Sequence, residues 1–374
     1  MRDYFKKGKF TFIFPIDGDC VNCRDGIVKG DDLIITVTLR YEGDEVYICG
    51  VKADKDGDLF SAQITVKKGK NIISVTAPDD SRQIVIYRFL NAEKGYRLSV
   101  DDNILFLKDI HENRHTYASI FDNSYLSLYK KAHDEYGAKV QLNLFYDTST
   151  STLFNKPIEY FDLSMMTDKY KSEWEQNCDW LKLSFHSKNE HMAQPYKNVS
   201  EEEIARDCEK VNEQIVRFAG QKTLAIGTTV HCGDASKEGV KELRRLGYKA
   251  FAGYYDRNAQ GNPRVAYFYD GDILTHIGGR DIWIDHEIDI ACARIDRVIN
   301  LAPDVKTNLD EIKSVFEDSG RGEFLEIMIH EQYFYDYYQH HIPAFSDIVL
   351  SCCKWISEQG YSGKHFEDII NEVK

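Results

Sequence analysis

From residue 10 to residue 89 the apolar positions come in short runs, several of them alternating with polar ones. Ile34-Ile-Thr-Val-Thr-Leu-Arg-Tyr41 shows the alternation most clearly, apolar on one face and polar on the other. Phe10–Phe14, Leu33–Tyr41, Glu45–Val51, Phe60–Val66, Asn71–Ala77 and Gln83–Phe89 are rich in β-branched or aromatic residues, and each predicts a strand. Turn signals separate them at Asp17-Gly18, Asp25-Gly26, Asp56-Gly57 and Lys68-Gly69-Lys70. No helical period interrupts the series, so residues 1–95 are expected to form a β-sandwich domain.

After Gly95 the period changes to alternating strands and helices. Strands are predicted at Tyr96–Val100, Val140–Phe145, Trp180–Phe185, Leu224–Thr229, Lys249–Ala252, Val265–Tyr269, Ile282–Ile284 and Phe324–Ile329. Helices are predicted at Ser124–Tyr136, Thr167–Cys178, Glu201–Phe218, Lys237–Leu246, Leu309–Glu317 and Ala344–Gln359. Ser200-Glu-Glu-Glu203 has capping-box spacing ahead of the amphipathic face Ile204, Val211, Ile215, Phe218. Gly220, Gly247 and Gly360 stand where helix C-caps belong. Such alternation predicts a parallel sheet closed into a barrel over residues 96–374. No Pro- or Ser-rich linker separates the two parts, so they are expected to pack together.

A chain of 374 residues is long for one core and agrees with two domains. The formal net charge of −14 repels nucleic acid and anionic membrane surfaces. No stretch reaches the roughly 18–20 apolar residues of a membrane span. The start, Met1-Arg-Asp-Tyr-Phe-Lys-Lys-Gly-Lys9, is basic but lacks an apolar segment behind it, which points to a cytoplasmic location. Nine cysteines, an odd and scattered number, fit reduced thiols; Cys20-Val-Asn-Cys23 has no second pair to complete a zinc site. Oligomeric state is not legible.

The chemistry gathers at the C-terminal ends of the predicted strands, where barrels carry their active residues. The first ends in Ser99-Val-Asp-Asp-Asn103 and the third in Phe185-His-Ser-Lys-Asn-Glu-His191. The fourth ends in Thr229-Val-His-Cys-Gly-Asp234, the last in Ile329-His-Glu-Gln332, and Ile284-Asp-His-Glu287 follows a further strand. Any one of these residues alone reads as a turn carboxylate or a satisfied core histidine. Their ordered placement in a chain with only twelve histidines favours one shared site.

This ordered set resembles the polysaccharide deacetylase (NodB-like) family of carbohydrate esterases. The resemblance implies a (β/α)7 barrel over residues 96–374 and hydrolysis of acetyl groups from an N- or O-acetylated carbohydrate by a metal-bound water. It implies Asp101 as general base, Asp102 and His186 as metal ligands, and His330 as general acid. The third ligand falls on Glu190, which has helical i+4 spacing from His186, or on His191, the commoner ligand type. The third motif of the family falls on Thr229–Gly233, with His231 where an arginine is usual. The partner of Asp101 is therefore His231 or absent. The implied cofactor is a divalent ion, zinc first, with cobalt and nickel as alternatives. The N-terminal part loosely resembles immunoglobulin-like modules attached to bacterial carbohydrate enzymes.

Tyr333 and Tyr335, in the aromatic run after His330, are candidates for stacking on sugar rings, or for plain packing at the rim. Asp285 and Glu287 are candidates for a substrate-facing wall, or for a surface loop. Two rival readings stand beside the deacetylase. One is a catalytically inactive carbohydrate-binding protein on the same barrel. The other is a two-carboxylate glycoside hydrolase using Glu190, Asp285 or Glu287.

Overall fold

The computed structural model describes residues 3–150, 153–190, 195–317 and 320–371. In the first part the strand Asp32–Arg40 buries Leu33, Ile35, Val37 and Leu39 and turns its other residues outward, as the alternation requires. It pairs antiparallel with Leu59–Val66, Phe10–Phe14 and the edge strand Gly26–Lys29. A second antiparallel sheet is built on Gly69–Ala77 and Asp80–Arg88, with Tyr47–Ile48 and Val51–Lys52 at its side. The apolar faces of the two sheets contribute to the same core.

The second part is a succession of parallel strands. Gly95–Asn103 pairs on one side with Val140–Phe145 and on the other with Phe324–His330. Val140–Phe145 pairs with Leu181–Ser187, and an isolated bridge from Leu183 to Leu224 leads on to Gly227–Thr228 and Ala250–Gly253. Ile290–Arg294 follows, parallel to Ala250–Gly253. The chain then runs directly into Arg297–Val298, which pairs with Phe324–His330. The pairings therefore return on themselves, with the run 290–298 touching both neighbours. Ile295 N donates to Gly253 O at 2.7 Å and Asp296 N to Glu326 O at 2.9 Å.

Helices cover the outside. Glu201–Ala219 starts at Ser200, whose side chain accepts from Glu203 N, and buries Ile204, Val211, Ile215 and Phe218. It ends at Gly220, with φ +89°. Among the described residues no helix is long and apolar enough to cross a membrane. All nine cysteines are free.

Two expectations are corrected. The run Val265–Tyr269 is not a strand: Val265 and Tyr267 take positive φ values of 44° and 56°, and the segment is a folded loop. Ile290-Ala-Cys-Ala-Arg294 supplies the missing strand, hidden in the sequence because alanine is a poor strand former.

Residues 17–25 dock onto the second part. Arg280 makes two 2.6 Å bonds to the Asp25 carboxylate and reaches Cys20 O, His276 Nε2 lies 2.6 Å from Asp19, and Ile284 N donates to Gly18 O.

His365 lies buried at the start of the last helix, Phe366–Ile370. Burial, with Lys139, Lys182 and Arg97 near by, holds its imidazole well below the ordinary value. Below about pH 6.5 the unfolded chain binds a proton that the folded protein refuses. Stability is therefore expected to fall as the pH drops below about 6.5, by up to about 1.4 kcal/mol per unit from this group. His365→Phe should remove that share of the slope, read from urea midpoints at pH 7 and pH 5.5. An unchanged slope would assign it to other groups.

Candidate metal centre

In a regular strand neighbouring side chains point to opposite faces. Asp101 and Asp102 escape that rule. The register between Gly95–Asn103 and Val140–Phe145 shifts between Val100 and Asn103, and Asp102 takes φ +63° in the left-handed region. Aspartate tolerates that conformation better than most residues.

Asp102 meets two histidines there. Its Oδ1 lies 2.9 Å from His186 Nε2 and 3.2 Å from His231 Nδ1, and the two ring nitrogens are 3.0 Å apart. His186 comes from the end of Leu181–Ser187, and its Nδ1 donates to the Thr229 carbonyl, which turns Nε2 toward Asp102. Gln332 Nε2 donates to Asp102 Oδ2 at 2.9 Å and leaves Oδ1 for the histidines. His231 sits on a short turn, His231–Gly233, where Cys232 and Gly233 both have φ +59°. Tyr267 braces that turn: its N donates to Gly233 O and its hydroxyl accepts from Val230 N.

A Cβ at Gly233 would fall 2.4 Å from Val265 Cγ1, so this position needs glycine for space as well as for φ. Gly233→Ala is expected to destabilise the protein by about 1–3 kcal/mol and to shift His231. Urea unfolding checks the first effect. A loss under 0.5 kcal/mol, the order of a neutral surface change, would mean the turn relaxes freely.

The three donors fit a divalent cation. Ligands about 2.1 Å from a zinc ion, at angles near tetrahedral, lie about 3.4 Å from one another. The distances here are 2.9, 3.0 and 3.2 Å, and one carboxylate with two imidazoles is a common donor set for such ions. His231 Nδ1 faces the Asp102 Oδ1 acceptor at 3.2 Å and so carries a proton in this state; a cation has to displace it. Burial opposes the charge on His231, but the hydrogen bond to Asp102, with Cys232 adjacent, outweighs it and pushes the pKa up to about 11. Burial likewise opposes the charge on Asp102, and its bonds to His186 and His231 hold it well below the usual carboxylate range.

Asp101 stands beside this cluster, buried, with Oδ1 accepting from Asn143 Nδ2 at 2.6 Å. His330 is its register partner on the next strand. The ring of His330 is held by Asn300: Nδ1 donates to Asn300 Oδ1 at 2.9 Å, and the backbone N of His330 donates to the same oxygen.

The other expected residues fall as follows. Glu190 lies close enough to feel Asp102 but outside the three-residue cluster; burial, then the Asp102 charge, pushes its carboxyl up to about 7, with His231 opposing. His191 lies outside the described residues. Among the described residues His231 is the third member of the cluster, and Asn143 bonds Asp101. Tyr333 is near the site, its ring 6.1 Å from His330. Tyr335 is engaged elsewhere: its hydroxyl donates to Glu331 Oε1 at 2.7 Å, and its ring stacks against Tyr337.

Asp285 and Glu287 are on the wrong rim. Ile282–Asp285 runs antiparallel to Ile290–Arg294, so Asp285 pairs with Ile290 at the N-terminal ends of the parallel strands. There it accepts from Tyr269 OH, while Glu287 is ion-paired to Lys237.

Asn143, Asn300 and Gln332 were missed by the sequence reading. A signal existed for the first: Gln141 and Asn143, two apart on an otherwise apolar strand, put paired amides on one buried face.

No family model matches the chain, and no curated protein matches it. Solved structures do. One is a pseudoenzyme of carbohydrate esterase family 4 from Bacillus anthracis, at 12% identity over 75% of this chain and 67% of that one, with TM-score 0.33. A second is a peptidoglycan N-acetylglucosamine deacetylase, at 10% identity over 75% and 90%, with TM-score 0.36. A third is a family 4 esterase from Streptococcus mutans, at 11% identity over 73% and 86%, with TM-score 0.33. The chain is thus similar to carbohydrate esterases of family 4, an inactive member among them.

Proposed function

We propose that the chain is a metal-dependent hydrolase that removes acetyl groups from an N- or O-acetylated carbohydrate. In this reading residues 96–374 are a (β/α)7 barrel and residues 1–95 an immunoglobulin-like sandwich. The observation that carries it is the convergence of Asp102, His186 and His231 beside Asp101 and His330, all at C-terminal ends of parallel strands.

Asp102, His186 and His231 would hold the ion, zinc by donor type with cobalt or nickel as alternatives. When bound, it supplies Lewis acidity, lowering the pKa of water and polarising a carbonyl oxygen. The remaining work belongs to the side chains. Asp101, with one oxygen held by Asn143, takes the proton of the attacking water on the other. His330, with Nδ1–H fixed on Asn300, exchanges a proton with the leaving group through Nε2. Tyr333 flanks His330 and offers a ring face to a sugar.

Protein prepared without chelator is expected to contain about one divalent ion per chain, and His186→Ala to contain almost none. Metal analysis of both, followed by a screen of acetylated saccharides with and without chelator, tests the reading. Wild-type protein that takes up no zinc, cobalt or nickel would falsify it.

One observation favours an inactive carbohydrate-binding protein instead. The hydrogen-bond partners of both Asp101 and His330 are neutral amides, Asn143 and Asn300, with no charged side chain in their place. Full metal occupancy with saccharide binding and no turnover is the result that reading expects. The glycoside hydrolase has no such support, since Asp285 and Glu287 lie on the opposite rim from Glu190.

A further inference from the structure

The side chain of Asp101 stands at the end of a short chain of amides whose direction is fixed by the backbone. The Gly227 carbonyl can only accept, and Gln141 Nε2 donates to it at 2.9 Å. The same Nε2 donates to Asn143 Oδ1 at 2.7 Å, so Asn143 has to present its Nδ2 on the other side. That nitrogen donates to Asp101 Oδ1 at 2.6 Å. Reversing either amide would set acceptor against acceptor: carbonyl against carbonyl at Gly227, or amide oxygen against carboxylate at Asp101.

Gln141 and Asn143 are both 0% exposed, so no bulk water can repair a reversed amide. The backbone of Asn143 is pinned too, since its carbonyl accepts from Asn103 Nδ2 at 3.1 Å and Asn103 is in turn held by the Tyr125 hydroxyl.

We infer that Gln141 and Asn143 are positioning residues for proton transfer at Asp101. Asn143 occupies Oδ1 with a donor and leaves Oδ2 the freer oxygen for an incoming proton; Gln141 acts through Asn143 by fixing its amide. The inference rests on Asp101 being the base. The arrangement of the amides themselves can be measured without that assumption.

The first test reads the side-chain amide protons of Asn143 by nitrogen-15 NMR in asparagine-labelled protein, the signal being identified by its loss in Asn143→Leu. Gln141→Met keeps the length of the side chain and removes its polarity. It is expected to speed exchange of the Asn143 amide protons by about tenfold or more, as one hydrogen bond is lost. Unchanged exchange overturns the inference whether or not the protein is an active enzyme.

The second test uses turnover of an acetylated substrate by the metal-loaded protein. Gln141→Glu has at most one side-chain proton, so it cannot donate to Gly227 and to Asn143 together. It is expected to lower kcat by about 10–100-fold, with KM and metal content changed less than twofold. In an Asn143→Leu background the same substitution should have no further effect on kcat, because the group it acts through is gone. Independent, multiplicative losses would overturn the positioning role. An Asp101→Asn variant that retains full activity would instead sink the assignment of the base, and leave the amide exchange result to stand on its own.

Discussion

Glu326→Ala is expected to destabilise the protein by about 3–5 kcal/mol, a large share of the 5–15 kcal/mol that holds a domain folded. Glu326 and Arg97 are both 0% exposed, side by side on adjacent parallel strands. Arg97 Nε bonds Oε2 at 2.7 Å, Nη2 bonds Oε1 at 2.5 Å, and Ser99 Oγ donates to Oε1 at 3.0 Å. The guanidinium lies 4.2 Å from the ring centroid of Phe366. Removing the carboxylate leaves a cation buried against a ring without its bidentate partner. The loss comes from that stranded cation more than from the pair's own strength. Arg97→Met combined with Glu326→Leu should therefore recover most of it. Urea unfolding of the two single variants and the double decides the point; a double variant as unstable as Glu326→Ala would mean that the pair itself stabilises the fold.

Glu331→Ala is expected to cost roughly 3 kcal/mol or more, and to loosen the site with it. Helix Leu105–Glu112 has no side-chain cap of its own at Ile104. Its first N–H groups are satisfied from across the fold: Glu331 accepts from Ile104 N at 2.6 Å, Leu105 N at 2.9 Å and Phe106 N at 2.6 Å. A carboxylate is well suited to that position, at the positive end of the helix. Glu331 follows His330, and Ile104 stands two residues after Asp102, so one side chain ties the two strand ends of the site together. Faster hydrogen exchange at residues 105–108 together with weaker metal uptake is the expected pair of results. Glu331→Gln, which keeps one acceptor oxygen, should fall between. Metal uptake unchanged in Glu331→Ala would show that the cap serves the helix alone.

How much of this was legible in the sequence differs from residue to residue. Phe10–Phe14, Ser124–Tyr136 and Val140–Phe145 have the bounds that periodicity and turn residues predict, because each begins and ends at a clear break in pattern. The Asp101–Asp102 pair, His186, His231 and His330 were visible as polar residues closing apolar strands. What they do to one another was not. His186 and His231 are 45 residues apart, and only the parallel neighbourhood of their strands brings their rings to 3.0 Å. Spacing within one loop, the only ruler a sequence offers, pointed to Glu190 or His191; Glu190 stays outside the cluster, and His191 lies outside the described residues. Asp285 looked like a strand-end carboxylate and is one, but its strand runs the other way. Strand direction is decided by pairing, and no local pattern carries it.

The run 290–298 has a bearing on how the chain reaches its folded state. It pairs with Ala250–Gly253 at one end and with Phe324–His330 at the other, and the last strand in turn pairs with Gly95–Asn103, more than 200 residues earlier. A nascent chain emerging from the ribosome therefore holds strand Gly95–Asn103 with one neighbour missing until most of the protein has been made. Contacts so distant in sequence form slowly, and an unpaired strand edge is an invitation to aggregate in the meantime. Pulse-labelled hydrogen exchange during refolding should find the antiparallel sheets of residues 10–88 protected early and the amides of 95–100 among the last.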